Sequence, residues 1–211
     1  MIFIKKHFLN KLIKFSWTIP IFIILLISIS SLISQSNKIL KLQNPVIYYN
    51  GAIFTLEKDK TGKEIIQQAL RTENGKITHI GTNEKILKLK NSQTSLVDLN
   101  GKSVFPSFVG IKIRQDEKLT EVFKQIQEIK KQGFLTNSNE RLNLFLEAFR
   151  NLTIKTAIQN NTEKEEGTLS PGKIANFIIL DKNPLLFNPA KYNEINVFLI
   201  ISEGRNPLLN N

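Results

Sequence analysis

The stretch Gly167-Thr168-Leu169-Ser170-Pro171-Gly172-Lys173-Ile174-Ala175-Asn176-Phe177-Ile178-Ile179-Leu180-Asp181 decides how the chain folds. Gly167, Pro171 and Gly172 suit a tight turn, the glycines through access to positive φ and the proline through its fixed φ. The turn launches an apolar run of Ile174, Phe177, Ile178, Ile179 and Leu180, which predicts a buried strand. After it only Val197–Ser202 has strand character, and two strands do not cover an apolar face. The partners must come from elsewhere in the chain.

They are found upstream, where residues 45–106 read as β-rich. Asn-Gly occurs three times between apolar stretches, at Asn50-Gly51, Asn74-Gly75 and Asn100-Gly101. Both residues tolerate the positive φ that a type I′ hairpin needs. Three hairpins are predicted: Val46–Tyr49 with Ala52–Leu56, Gln67–Thr72 with Lys76–Ile80, and Leu96–Leu99 with Lys102–Phe105. A short helix near Asn83–Leu89 separates the last two. The middle changes period. Leu119, Val122, Phe123, Ile126 and Ile129 recur at helical spacing between Asp116 as a cap and Gly133 as a stop. Leu142, Phe145, Leu146, Phe149 and Leu152 share a face of a second helical region over Asn139–Gln159.

From Phe15 to Asn37 run 23 residues without a charge. About 20 residues in a helix cross the ~30 Å hydrocarbon layer, so a transmembrane helix is predicted. Lys5, Lys6, Lys11 and Lys14 precede it, and Lys38 and Lys41 follow. The positive-inside tendency then leaves the N-terminus in the cytoplasm and the bulk of the chain outside a cytoplasmic membrane. Cleavage at Ser34-Gln35-Ser36 would release it as a secreted protein. The net charge of +11 invites a nucleic-acid reading, but residues 35–211 interleave 25 basic with 18 acidic residues. No Arg-rich or aromatic-basic cluster emerges, so no nucleic-acid partner is expected. The absence of cysteine excludes disulfides, thiolate metal sites and cysteine nucleophiles.

Taken in order, these segments resemble the amidohydrolase superfamily, in its N-substituted-formamide-deformylase-like branch. The resemblance is carried by Ile47–Leu56, Ala69–Gly81, Val97–Pro106 and Gly167–Asp181, with Glu147–Ala157 similar to the family's penultimate helix. It implies metal-dependent hydrolysis of non-peptide C–N bonds, typically with zinc, in a (β/α)8 barrel framed by a small β-sandwich. It also implies an Asp and a His-x-His pair on the strand after Pro106, since imidazoles on alternate residues point the same way. Here Gly110 stands at the Asp position, and Lys112 and Arg114 stand at the His positions. An arginine offers no lone pair, and a lysine would first have to lose its proton. Between Pro106 and Gly167 lie 60 residues, where a barrel needs about 200 or more.

The fold expected is therefore mainly β with α. It has a leader and transmembrane helix over 1–37, sandwich segments at 45–110 and 163–205, and a short helical crossover over 111–162 replacing the barrel. The function expected is a membrane-tethered, truncated amidohydrolase-like protein without catalysis, with no catalytic or metal-binding residues and no cofactor. Two alternatives are a C–N hydrolase whose barrel comes from a separate chain, and a β-sandwich interaction module with an unidentified protein partner. His7 and His79 have no second ligand nearby. Glu163, Glu165 and Glu166 read as a solvated turn beside Lys164, and Ser107 and Ser170 lack a base that sequence identifies.

Overall fold

A computed structural model describes residues 43–110, 115–131, 138–187 and 189–209. Nine strands form two sheets. Their ranges are β1 Val46–Tyr49, β2 Ala52–Lys58, β3 Glu64–Gln67, β4 Ala69–Glu73, β5 Lys76–Gly81, β6 Ser95–Asp98, β7 Ser103–Pro106, β8 Phe177–Leu180 and β9 Val197–Ile201. The helices are α1 Asn83–Leu87, α2 Gln115–Lys131, α3 Ser138–Leu152 and α4 Ile154–Gln159. One sheet has the order β5-β4-β1-β6 and the other β3-β2-β7-β8-β9.

Two parts of the expected fold class are corrected. No helix among the described residues is long and apolar enough to cross a membrane. The predicted span at 15–37 lies outside the described residues. The sheets, moreover, are mixed rather than assembled from three antiparallel hairpins. Only Asn74-Gly75 closes a hairpin of its neighbours, with Glu73 opposite Lys76. At Asn50-Gly51 and Asn100-Gly101 the chain changes sheets. β1 then runs parallel to β6 and β2 parallel to β7.

The cause lies in the partners that the turns find. Asn74 and Gly75 both hold positive φ (51° and 79°), as a type I′ turn requires. Asn50 has φ 57°, but Gly51 is absent from the positive-φ glycines, so the first turn cannot be of that type. Asn100-Gly101 has both positive angles and closes Lys102 N–H onto Leu99 C=O at 2.9 Å. Even so, Leu99 N–H and Gly101 N–H donate to Tyr49 and Asn50 carbonyls at 2.8 Å each, which lays the two sheet switches side by side. Their contact leaves no room for a side chain at Gly51, where a Cβ would meet Leu99 Cδ1 at 2.4 Å and Lys102 O at 3.1 Å. A third switch occurs at Gln68, so the stretch expected as one strand over Gln67–Thr72 is divided between β3 and β4. Asp59 closes the β2–β3 hairpin by accepting Thr61 N–H at 2.8 Å and Lys63 N–H at 3.0 Å.

Burial follows in layers. Val46 and Tyr48 of β1, Ile53, Val104, Phe177 and Ile179 fill the space between the sheets. The outer face of the five-stranded sheet presents Phe54, Phe105, Ile178 and Leu180 to Leu119, Val122 and Phe123 of α2 and to Phe145, Leu146 and Phe149 of α3. On the opposite side of the molecule, Ile86 of α1 covers Ile47 and Ala69. Alternate residues of β8 thus serve two cores, and all four are fully buried. The second helical region breaks at Thr153 (φ −120°, ψ −96°), whose hydroxyl donates to Phe149 C=O at 2.7 Å.

Candidate functional site

The point where the chain leaves and rejoins the five-stranded sheet is the place to look for chemistry. Pro106 at the end of β7 pairs with Phe177 at the start of β8, and Ser107 N–H donates to Asn176 C=O at 3.1 Å. Beyond Pro106 the chain does not continue as a strand. Gln115 clamps Phe108 from both sides, its Oε1 accepting Phe108 N–H at 2.9 Å and its Nε2 donating to Phe108 C=O at 3.2 Å. Val109 N–H donates to Leu152 C=O at 2.9 Å. These contacts bind the segment to α2 and α3 instead of extending β7.

Gly110 follows in an exposed turn with φ 76° and nothing within 4 Å of an ideal Cβ. It offers no donor. Lys112 and Arg114 lie outside the described residues, as does His7. The remaining sequence candidates are not brought together. His79 is exposed on β5, paired in register with Arg71. Ser107 Oγ is buried without a hydrogen-bond partner. Glu166 accepts the Thr162 hydroxyl at 3.0 Å within its own turn.

A polar cluster that sequence reading missed assembles around Ser170. Glu57, at the end of β2, accepts from the Ser170 hydroxyl and from Thr168 Oγ1, the latter at 3.2 Å. Lys173 Nζ donates to Thr168 Oγ1 at 2.6 Å and to Glu166 C=O at 3.2 Å. Burial holds the Lys173 ammonium below its ordinary pKa, against the opposing fields of Glu57 and Glu163. A lysine within reach of a hydroxyl has the outline of a base and nucleophile. Thr168, however, is only 5% exposed, and its hydroxyl already relays between ammonium and carboxylate. The cluster ties the Gly167–Lys173 turn to β2. Ser170 and Lys173 are close in sequence, but Glu57 is 113 positions from Ser170, and no local pattern announces it.

Among the described residues no group of three or more His, Cys, Asp or Glu is placed to hold a metal ion. The donors among the described residues do not fit a catalytic metal.

No family model matches the chain, and no curated protein matches it either. Solved structures do match, and those named here are amidohydrolases or metal-dependent hydrolases. An uncharacterised metal-dependent hydrolase from Pyrococcus furiosus is 20% identical with a TM-score of 0.27, over 39% of this chain and 16% of that one. An amidohydrolase from Thermotoga maritima MSB8 is 9% identical with a TM-score of 0.47, over 77% of this chain and 99% of that one. An enamidase described as a member of the amidohydrolase superfamily is 23% identical with a TM-score of 0.25, over 30% of this chain and 16% of that one. The chain thus spans about a sixth of the Pyrococcus and enamidase chains. The expectation that no cofactor belongs with this chain is corrected by these matches, because the hydrolases it resembles include metal-dependent ones.

Proposed function

We propose that the chain is a membrane-tethered, truncated relative of the amidohydrolases, of the N-substituted-formamide-deformylase-like branch, and that it does not hydrolyse C–N bonds by itself. The pairing of Pro106 with Phe177 carries the reading. The chain leaves the sheet and returns to it at neighbouring positions, so an inserted domain of any size leaves the two sheets unchanged. Here the insertion is the 70 residues 107–176, too few for a barrel of about 200. Those residues contribute α2, α3 and α4, of which α2 and α3 pack their apolar faces on the sheet. A barrel supplies metal ligands and substrate loops from the ends of its strands, and a helical cover has no equivalent place for them.

The purified chain is expected to show no turnover of amide or N-substituted formamide substrates, with or without added zinc. Turnover that follows the chain through purification and disappears with a chelator would overturn the proposal. Turnover that appears only when a second chain is mixed in would favour a barrel supplied separately.

The tether rests on the uncharged run at 15–37 and on the four lysines before it. With the N-terminus inside, the turn at 160–166, exposed at Asn160, Asn161, Lys164 and Glu165, lies on the outer side. Protease added to intact spheroplasts is then expected to cut there. Full protection until the membrane is lysed would mean the opposite orientation.

A further inference from the structure

Three identical dipeptides stand under different restraint in this fold. In Asn-Gly the glycine amide nitrogen, after losing its proton to water or hydroxide, attacks the asparagine side-chain carbon Cγ. The N–Cγ bond forms, the Cγ–Nδ2 bond breaks and ammonia leaves. Water then opens the resulting succinimide at either of its two C–N bonds, giving aspartate or isoaspartate. The reaction needs a carboxamide free to rotate over the following nitrogen, and a following residue without a Cβ in the way.

Asn50 is held at both ends of its carboxamide. Nδ2 donates to Asp98 Oδ2 at 3.2 Å, and Oδ1 accepts from Asn83 Nδ2 at 2.8 Å. Asn74 is held at one end, where Oδ1 accepts Gln43 N–H at 3.1 Å. Its glycine is also confined: a Cβ at Gly75 would lie 3.2 Å from Glu203 O, and Gly75 C=O accepts Ala175 N–H at 2.8 Å. Asn100 is exposed, and its carboxamide has no hydrogen bond among the described residues, its backbone N–H alone being held, by Asp98 Oδ1 at 2.8 Å. Gly101 is exposed as well, with nothing within 4 Å of an ideal Cβ. The attacking nitrogens do not separate Asn100 from Asn50, since Gly101 N–H and Gly51 N–H both donate to main-chain carbonyls, at 2.8 and 3.1 Å. The carboxamides do.

We propose that Asn100 is a site of spontaneous covalent modification, converted through a succinimide with Gly101 to aspartate and isoaspartate, while the fold protects Asn50 and Asn74. The product acts on the sheet switch. A new carboxylate arises beside Asp98, which already serves Asn100 N–H and Asn50 Nδ2. The isoaspartyl form also lengthens the main chain within the tight turn that joins β6 to β7.

The test is to age the full chain in mild detergent at mildly alkaline pH, with a second sample in concentrated urea. Peptide mapping by mass spectrometry, with enzymatic labelling of isoaspartate, follows each site. In urea the three sites should convert at similar rates because the dipeptide is the same. In the folded protein Asn100 should outpace Asn50 by about tenfold or more, the factor expected from breaking two hydrogen bonds. Asn83→Ala removes a donor to Asn50 Oδ1 and should raise conversion at Asn50 while leaving Asn100 unchanged. Equal protection of all three sites, or faster conversion at Asn50 or Asn74 than at Asn100, would overturn the proposal. So would an unaltered Asn50 rate in a folded Asn83→Ala protein.

Discussion

A chain lacking residues 165–211 is expected to show no cooperative unfolding transition, although every residue of β1 to β7 is still present. The deletion removes β8 and β9 from the five-stranded sheet and leaves β7 as an edge. It also empties two cores at once, because Phe177 and Ile179 point between the sheets while Ile178 and Leu180 point at α2 and α3. Fully burying such a side chain contributes about 1.5–3 kcal/mol, so these four account for roughly 6–12 kcal/mol. The whole stability of a domain is about 5–15 kcal/mol. Losing Leu169, Ala175 and Ile201 from the same intersheet core adds to the deficit. Urea titration followed by far-ultraviolet circular dichroism checks this. A sigmoidal transition in the truncated chain would mean that the upstream strands hold together without β8 and β9.

The same strand shows what sequence can and cannot convey. The run Phe177–Leu180 is apolar throughout, and a strand covered on both faces has to look like that. Phe145, Leu146 and Phe149 at helical spacing mark the face that α3 buries. Asn74-Gly75 announces its hairpin because turn and pairing are both local. Asn50-Gly51 and Asn100-Gly101 carry the same two letters, yet what they join is decided by a distant partner. Leu99 N–H goes to Tyr49 C=O, and that acceptor lies 50 residues away. The break between β3 and β4 was hidden for a similar reason: Gln68 accepts from Gly51 N–H and donates to Gly81, and neither contact leaves a mark on hydropathy. At the candidate site, the absence of a donor at Gly110 was legible from residue type alone. The cluster around Ser170 was not, since its carboxylate comes from β2.

Arg150→Met is expected to cost about 3–5 kcal/mol, the range for removing one partner of a buried ion pair. Arg150 sits near the end of α3 with its side chain 9% exposed, and it binds Glu64 of β3, 15% exposed, through Nη2. Its Nη1 reaches Glu147 at 3.2 Å. The pair fastens the helical layer to the edge strand of the sheet. Without the guanidinium, Glu64 keeps only Lys58, at 3.6 Å and half exposed, so its carboxylate is left largely uncompensated where water is scarce. Methionine preserves much of the apolar stem, which separates lost charge from lost packing. Adding Glu64→Gln to Arg150→Met should recover part of the loss, because no buried charge then remains, and a double-mutant cycle measures the coupling. Acid titration supplies an independent reading. Burial is the largest single influence and pushes the Glu147 carboxyl up, but the hydrogen bonds and positive charges of Lys155 and Arg150 together outweigh it and hold the pKa below the ordinary value. A carboxylate lowered in this way stabilises the fold above its unfolded pKa, and the contribution is lost as pH falls through the folded value. Arg150→Met removes one of the two donors, so the acid limb of the stability curve should flatten while Lys155 keeps some of the effect. A cost below about 1 kcal/mol, with an unchanged acid limb, would place Arg150 among ordinary surface pairs and leave the docking of α3 to its phenylalanines.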